Sequence, residues 1–200
     1  VLALVFLGIL IASNVSHARS YSAIMEKSLE KALIKNNFHA DVSYLSDDYL
    51  TGIALNKSEG KLAYFKRFNI KEEFQSSFYN FSDILECSII EDGETVTKTS
   101  SSSLIGRAMA GGVLFGGIGA VVGGLTGEKI ANEKIYKATL SIVFDDLDYP
   151  IREVNFLNSN MLVDRNSELY RIVFDELNRW HKTISVIIKR NENELNSKSV

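Results

Sequence analysis

Twenty consecutive residues without a charge, Ala108 to Gly127, lie in the middle of this 200-residue chain and limit what it can fold into. The wider stretch Leu104–Gly127 reads LIGRAMAGGVLFGGIGAVVGGLTG and holds nine of the 13 glycines. As a helix the uncharged run would measure ~30 Å, the thickness of a bilayer's hydrocarbon core. Small residues recur at every fourth position: Ala108, Gly112, Gly116, Ala120 and Gly124, with Gly119, Gly123 and Gly127 in a second row. Residues four apart share a helix face. A stripe of small residues lets another backbone approach closely, which is how helices associate in lipid. Met109, Val113, Leu114, Val121, Val122 and Leu125 fall on the opposite face. Glycine costs ~1 kcal/mol relative to alanine in a solvated helix, so the pattern fits a packed helix better than a solvated one. A flexible linker would be polar and Gly/Ser-rich, whereas this stretch would leave a large apolar patch in water. A phosphate-binding loop needs Gly-Lys-Ser/Thr at the helix start, and the chain offers Gly127-Glu128-Lys129.

A second apolar segment, Val1 to Ala12, has twelve residues with no charge or strongly polar group. A helix of that length reaches only ~18 Å and cannot span alone. The sequence opens on Val rather than Met, so an upstream piece is expected, and a few apolar residues in it would make the segment long enough to span. Two readings of residues 1–18 stay open. One is an uncleaved membrane anchor. The other is a signal segment cut at the small-x-small site Ser16-His17-Ala18, which an intact mass starting near Arg19 would identify.

The rest of the chain narrows the chemistry. Twenty-two Lys+Arg against 25 Asp+Glu give a net charge of −3, which excludes a globally basic nucleic-acid binder. One cysteine, Cys87, excludes an internal disulfide framework and a Cys-based zinc site. His17, His39 and His181 show no ligand spacing and read as surface or helix-flank residues. Ser100–Ser103 lack a nucleophile-elbow context and read as a polar lead into the apolar stretch. Asp145, Asp146 and Asp148 form an acidic turn without the length of a calcium loop. No catalytic residue, metal site or cofactor is expected, and the chain reads as a non-enzyme.

Local patterns supply the elements. Tyr21–Asn37 reads as an amphipathic connecting helix, with Ile24, Leu29, Leu33 and Ile34 near one face and Glu26, Lys27, Glu30 and Lys31 near the other. Period-two alternation predicts strands over 50–56, 61–68, 81–91, 94–99, 136–144 and 151–157. In the third, Leu85, Cys87 and Ile89 share a face opposite Ile84, Ser88 and Ile90. Asp92-Gly93 is a two-residue hairpin signal. In Tyr136–Phe144, Tyr136, Ala138, Leu140, Ile142 and Phe144 point inward and Lys137, Thr139 and Ser141 outward. Asp164–Arg190 has helical period through Leu169, Val173, Leu177, Trp180, Ile184 and Ile187 or Ile188, and residues 191–200 read as a frayed polar tail.

Six or seven strands followed by a long C-terminal helix with a Trp resemble a pleckstrin-homology-like (PH-like) domain. The Asp92-Gly93 hairpin, the insertion GRAMAGGVLFGGIGAVVGGLTG, the strand YKATLSIVF and the ending LNRWHKTISVIIKR together look like bacterial membrane proteins in which such a domain carries a glycine-zipper insertion. The resemblance covers about residues 41 to 190. It implies an α+β fold: a bent antiparallel β-sheet or barrel capped by a C-terminal helix, with an N-terminal apolar helix and an inserted helical hairpin over 104–127. It also implies a docking role toward a membrane or protein. No clustered Lys/Arg loop of the kind that grips phosphoinositide head groups is present.

If strands 94–99 and 136–144 pair as antiparallel neighbours, the insertion leaves and returns on one side, and a single membrane crossing is impossible. A hairpin broken at Gly116-Gly117 would then dip into one leaflet or pack against its own domain or a second copy. Ala108, Gly112, Gly116, Gly119, Ala120, Gly123, Gly124 and Gly127 would make the membrane or oligomer contacts. Arg107 and Lys129 would sit at the membrane interface, Arg107 snorkelling. The expected function is a non-enzymatic protein of the bacterial cell membrane with a single N-terminal anchor. Its expected partners are the lipid bilayer, a second copy and a protein docked on the PH-like domain, with no nucleic acid. The alternatives are a pore-forming effector of a bacterial or phage conflict system and a soluble homo-oligomeric interaction module.

Overall fold

The computed structural model describes residues 21–101 and 133–197. Helix α1, residues 21–35, is followed by eight strands: β1 Val42–Leu45, β2 Thr51–Asn56, β3 Lys61–Lys66, β4 Gln75–Asn80, β5 Ile84–Glu91, β6 Glu94–Ser100, β7 Lys134–Phe144 and β8 Ile151–Asp164. Helix α2, Glu168–Ser197, closes the chain. Two four-stranded antiparallel sheets result, ordered β1-β2-β3-β4 (sheet A) and β6-β5-β7-β8 (sheet B).

The main core lies between the sheets and α2. Ile53, Leu55, Leu62 and Tyr64 of sheet A meet Cys87, Ile89, Leu140, Ile142, Val154 and Phe156 of sheet B, beneath Leu177, Trp180, Ile184 and Ile188 of α2. Tyr44 stacks on Phe156 at 3.9 Å and Tyr79 on Phe144 at 3.8 Å, joining the sheets through flat ring contacts. Ser167 accepts the amide of Tyr170 at 3.2 Å, an N-cap for α2. The β-branched run Ile184–Ile188 stays helical because three of its side chains enter the core. The expected frayed tail is instead helix to Ser197, and Asn191 donates to the Phe81 carbonyl at 2.6 Å.

Sheet A is covered on both faces, so β2 and β3 read as nearly continuous buried runs rather than strict alternation. Its outer face carries Ala54, Ala63 and Phe65, against which α1 lays Leu29 and Ala32. Gly52 admits the helix: a Cβ there would lie 2.8 Å from Leu29 Cδ1. The apolar face of α1 is therefore Leu29, Ala32 and Leu33. Ile24 and Ile34, expected on the same face, are exposed, because the helix turns about the Leu29 contact.

Bulges correct two strand readings. In β5 a register shift between Ile84 and Glu86 puts Ile84 on the core side with Cys87 and Ile89, in place of Leu85. In β7 a shift between Ile135 and Lys137 buries Ile135 and leaves Tyr136 47% exposed, although Tyr136 was expected inward. Ala138, Leu140, Ile142 and Phe144 do point inward, while Thr139 and Ser141 are buried rather than outward-exposed in this interior strand. Thr139 is satisfied by donating to Asn155 at 3.0 Å.

The strands flanking the insertion do not pair. β6 and β7 lie on opposite sides of β5, each antiparallel to it, and so run parallel to one another. Ser100 is level with Glu86 and Val143, whereas β7 begins at Lys134, nearer the Asp92-Gly93 hairpin. At ~3.3 Å per residue, the chain leaves sheet B and rejoins it at points roughly 25–30 Å apart. The same-side premise of the insertion's expected topology is thereby overturned. β5 forms the hairpin with β6 and then takes β7 on its free side.

Candidate functional site

The insertion residues Ala108, Gly112, Gly116, Gly119, Ala120, Gly123, Gly124 and Gly127, with Arg107 and Lys129, lie outside the described residues, as do residues 1–18 with His17. The chemistry on view is elsewhere. Loops 46–50 and 67–74 and loop 145–150 with the start of β8 enclose a cleft of about 550 Å³. Tyr64, Lys66, Arg67, Phe68, Tyr149 and Arg152 line much of it.

Each wall is fixed by polar contacts. Asp48 accepts from Ser46 at 2.6 Å, the Leu50 amide at 3.1 Å, Asn155 at 2.7 Å and Asn158 at 3.3 Å. Burial opposes its charge, but these donors outweigh burial and hold the carboxyl below its ordinary range. Asp47 adds a backbone bond to Asn155 at 3.0 Å, so the β1–β2 loop is tied to β8. Tyr49 takes the left-handed region at φ 60°, which aims its carbonyl at Arg67 Nε, 2.7 Å away. Arg67 also donates to the Ile70 carbonyl at 3.3 Å and lies over the Phe74 ring at 4.3 Å. Met25 of α1 touches the same guanidinium at 3.5 Å, which ties α1 to this corner.

Across the cleft, Arg152 sits among the rings of Tyr149 (5.0 Å), Tyr64 (5.2 Å) and Tyr79 (5.8 Å). It donates to the Tyr79 hydroxyl at 2.8 Å and to Ser77 at 3.3 Å. Asp146, 3.7 Å from Arg152, accepts the amides of Asp148 and Tyr149 and the Tyr79 hydroxyl, each at 3.0 Å. The expected acidic turn is thus a hydrogen-bonded hairpin that presents Leu147 and Tyr149 outward. Burial pushes the Tyr64 hydroxyl up to about 12, against the pull of Arg152.

The rim is apolar: Phe68 is 71% exposed, Tyr149 65% and Leu147 100%. Leu147 and Tyr149 escape notice because they stand in an expected turn, and Phe68 because it is expected as the end of strand 61–68, whereas β3 stops at Lys66. The available signal was a Leu and a Tyr interrupting an acidic turn, Asp145-Asp146-Leu147-Asp148-Tyr149.

Cys87 is fully buried and burial pushes its thiol up, the opposite of an activated nucleophile. His181, expected at the surface or on a helix flank, is buried, with Nε2 3.2 Å from the Cys87 carbonyl, because its turn of α2 faces β5. His39 is exposed. Among the described residues no three His, Cys, Asp or Glu side chains gather as a metal site, and no helix is long and apolar enough to cross a membrane.

Two antiparallel sheets closed by a C-terminal helix are the architecture of a PH-like domain. The family model described as glycine zipper containing PH domain matches residues 40–158, and the chain belongs to that family. Among curated proteins it is 30% identical over 185 residues, 85% of this chain and 78% of the relative, to the SPbeta prophage-derived uncharacterized membrane protein YomJ of Bacillus subtilis (strain 168). It is 32% identical over 149 residues, 71% of this chain and 72% of the relative, to a protein of Bacillus phage SPbeta named Immunity protein. No solved structure matches the chain.

Proposed function

We propose that the chain is a non-enzymatic, membrane-associated protein of phage–bacterium conflict, in which the PH-like domain docks and the glycine-zipper stretch 104–127 drives membrane insertion or self-association. Residues 1–18 tether it to the bacterial cell membrane. The observation that carries the reading is the four-residue spacing of small side chains, Ala108 to Gly124, inside an uncharged run carried by a docking domain. The membrane-protein name of one relative supports the location, and the name of the other supports a protective role over a pore-forming one.

The test follows from the separation of the two ends of sheet B. Removing 104–127 would leave residues 101–103 and 128–133 to bridge roughly 25–30 Å, which they could do only almost fully extended at ~3.6 Å per residue and so with strain on the sheet. The stretch is therefore replaced by a Gly/Ser linker of equal length in the full chain. Carbonate-washed membranes from expressing cells are then compared, and the cells are challenged with phage. The parent is expected in the washed membrane with fewer plaques, and the replacement, still held by residues 1–18, to stay in the membrane but lose the protection. A replacement that stays in washed membranes and protects equally would remove the zipper from the account. Dye leakage from cells carrying the parent would favour the pore-forming reading. Release of the parent by detergent-free lysis would favour the soluble module.

A further inference from the structure

We infer that the cleft corner rests on the bilayer surface, with Phe68, Leu147 and Tyr149 inserted among the lipids at the interface. This rests on the membrane-associated reading above and adds the domain's orientation and the chemistry of its contact. Scattered exposed apolar side chains are ordinary. Here the exposed rings of Phe68 and Tyr149 line one cleft, and Leu147 stands at the tip of the same hydrogen-bonded loop as Tyr149. Tyrosine suits such a depth because its ring is apolar and its hydroxyl remains wet.

The path of the chain selects lipid as the occupant. The Tyr21 ring meets Tyr49 edge-on at 5.8 Å, and Met25 touches Arg67, so α1 starts at this corner. The apolar sequence Val1–Ala12 joins the fold through that start, separated from it by residues 13–20, which reach no more than ~30 Å. Ser101, beyond which the second apolar stretch departs, donates its amide to Leu85 at the end of sheet B that carries loop 145–150. The N-terminal stretch and the outgoing end of the second stretch therefore leave the domain from the side that bears the exposed rings, while the second stretch returns at the opposite end of sheet B, at Glu133.

The charges define the mode of contact. Lys66, Arg67, Lys71 and Arg152 stand among Asp47, Asp48, Glu72, Glu73, Asp145, Asp146, Asp148 and Glu153, so the corner carries no positive excess for anionic head groups. Insertion of apolar side chains into a neutral surface is the remaining source of attraction.

The test uses the full chain with Leu147→Cys or Phe68→Cys, each carrying an environment-sensitive fluorophore. Cys87 is buried and escapes labelling. Met161→Cys, 77% exposed beside the far end of β8, is the control position. Phosphatidylcholine vesicles should give a several-fold rise in emission and a blue shift at 147 and 68, quenched by nitroxide lipid, with no change at 161. Adding phosphatidylglycerol or salt should leave the signal unchanged. A chain that fails to sediment with vesicles overturns the membrane reading itself. A chain that sediments while 147 and 68 stay water-like overturns only the orientation. Dependence on anionic lipid overturns apolar insertion, and a signal that rises with protein concentration without vesicles assigns the corner to a second copy.

Discussion

Tyr170, in the first turn of α2, donates its hydroxyl proton to Glu91 of β5 at 2.8 Å, across the end of sheet B at which the chain returns from its insertion. Arg165 pairs with the other oxygen of the same carboxylate, whose side chain is 1% exposed. A buried carboxylate needs such partners, and removing it strands those that remain. Glu91→Ala is expected to cost about 3 kcal/mol, and Tyr170→Phe about 1 kcal/mol. Urea unfolding of the full chain, read by Trp180 fluorescence, would check both. Equal and negligible losses would mean that Glu91 does not anchor this end of the sheet.

The seat of α1 gives a second expectation. Because a Cβ at position 52 would press on Leu29, Gly52→Ala should destabilise the docked helix by about 1–2 kcal/mol. Leu29→Ala alone should cost about 2–4 kcal/mol through the lost contact. Combining them should cost clearly less than the sum, since the alanine at 29 vacates the space that the new methyl takes. Additive losses in the double-mutant cycle would place the helix differently.

Two buried side chains fix the response to pH. Burial holds His181 below the ordinary imidazole range, opposed by the Cys87 carbonyl and reinforced by Lys182. It stays neutral when folded, so its stabilising contribution is present above about pH 6.5 and is lost as pH falls below that. The urea midpoint should drop between pH 7 and pH 5, and His181→Gln should flatten the drop. At the alkaline end, Tyr64 titrates at about 12 when folded. Its contribution is intact below about pH 10 and disappears as pH rises toward 12. Tyr64→Phe should lessen that alkaline loss, and an unchanged pH profile would contradict its burial.

Much of the fold was legible because its determinants are local. Asp92-Gly93 specifies a tight hairpin, and the structure has both residues at positive φ, 48° and 88°. Leu177, Trp180 and Ile184 recur at helical spacing and all enter the core. The misreadings arise from non-local partners. Val42–Leu45 and Gln75–Asn80 were passed over because their short, polar-rich runs become strands only by pairing with β2 and β3. Ile84 and Tyr136 changed sides because a bulge, set by the neighbouring strand, inserts one residue into the alternation. The parallel relation of β6 and β7 was hidden for a similar reason, since which side of β5 a strand joins leaves no periodic trace. The rim was hidden because Leu147 and Tyr149 stand in a turn, which is read for its backbone geometry, and because Phe68 reads as the end of strand 61–68 although β3 stops at Lys66.

The small-residue stripe, as proposed above, holds this protein together in the membrane. The most direct measurement of this is chemical crosslinking of carbonate-washed membranes from cells making the full chain or the triple variant Gly112→Leu, Gly116→Leu, Gly123→Leu. A crosslinked ladder is expected for the parent and its loss in the variant, because three bulky side chains would hold the backbones apart. An identical ladder from an equally membrane-bound variant would contradict it.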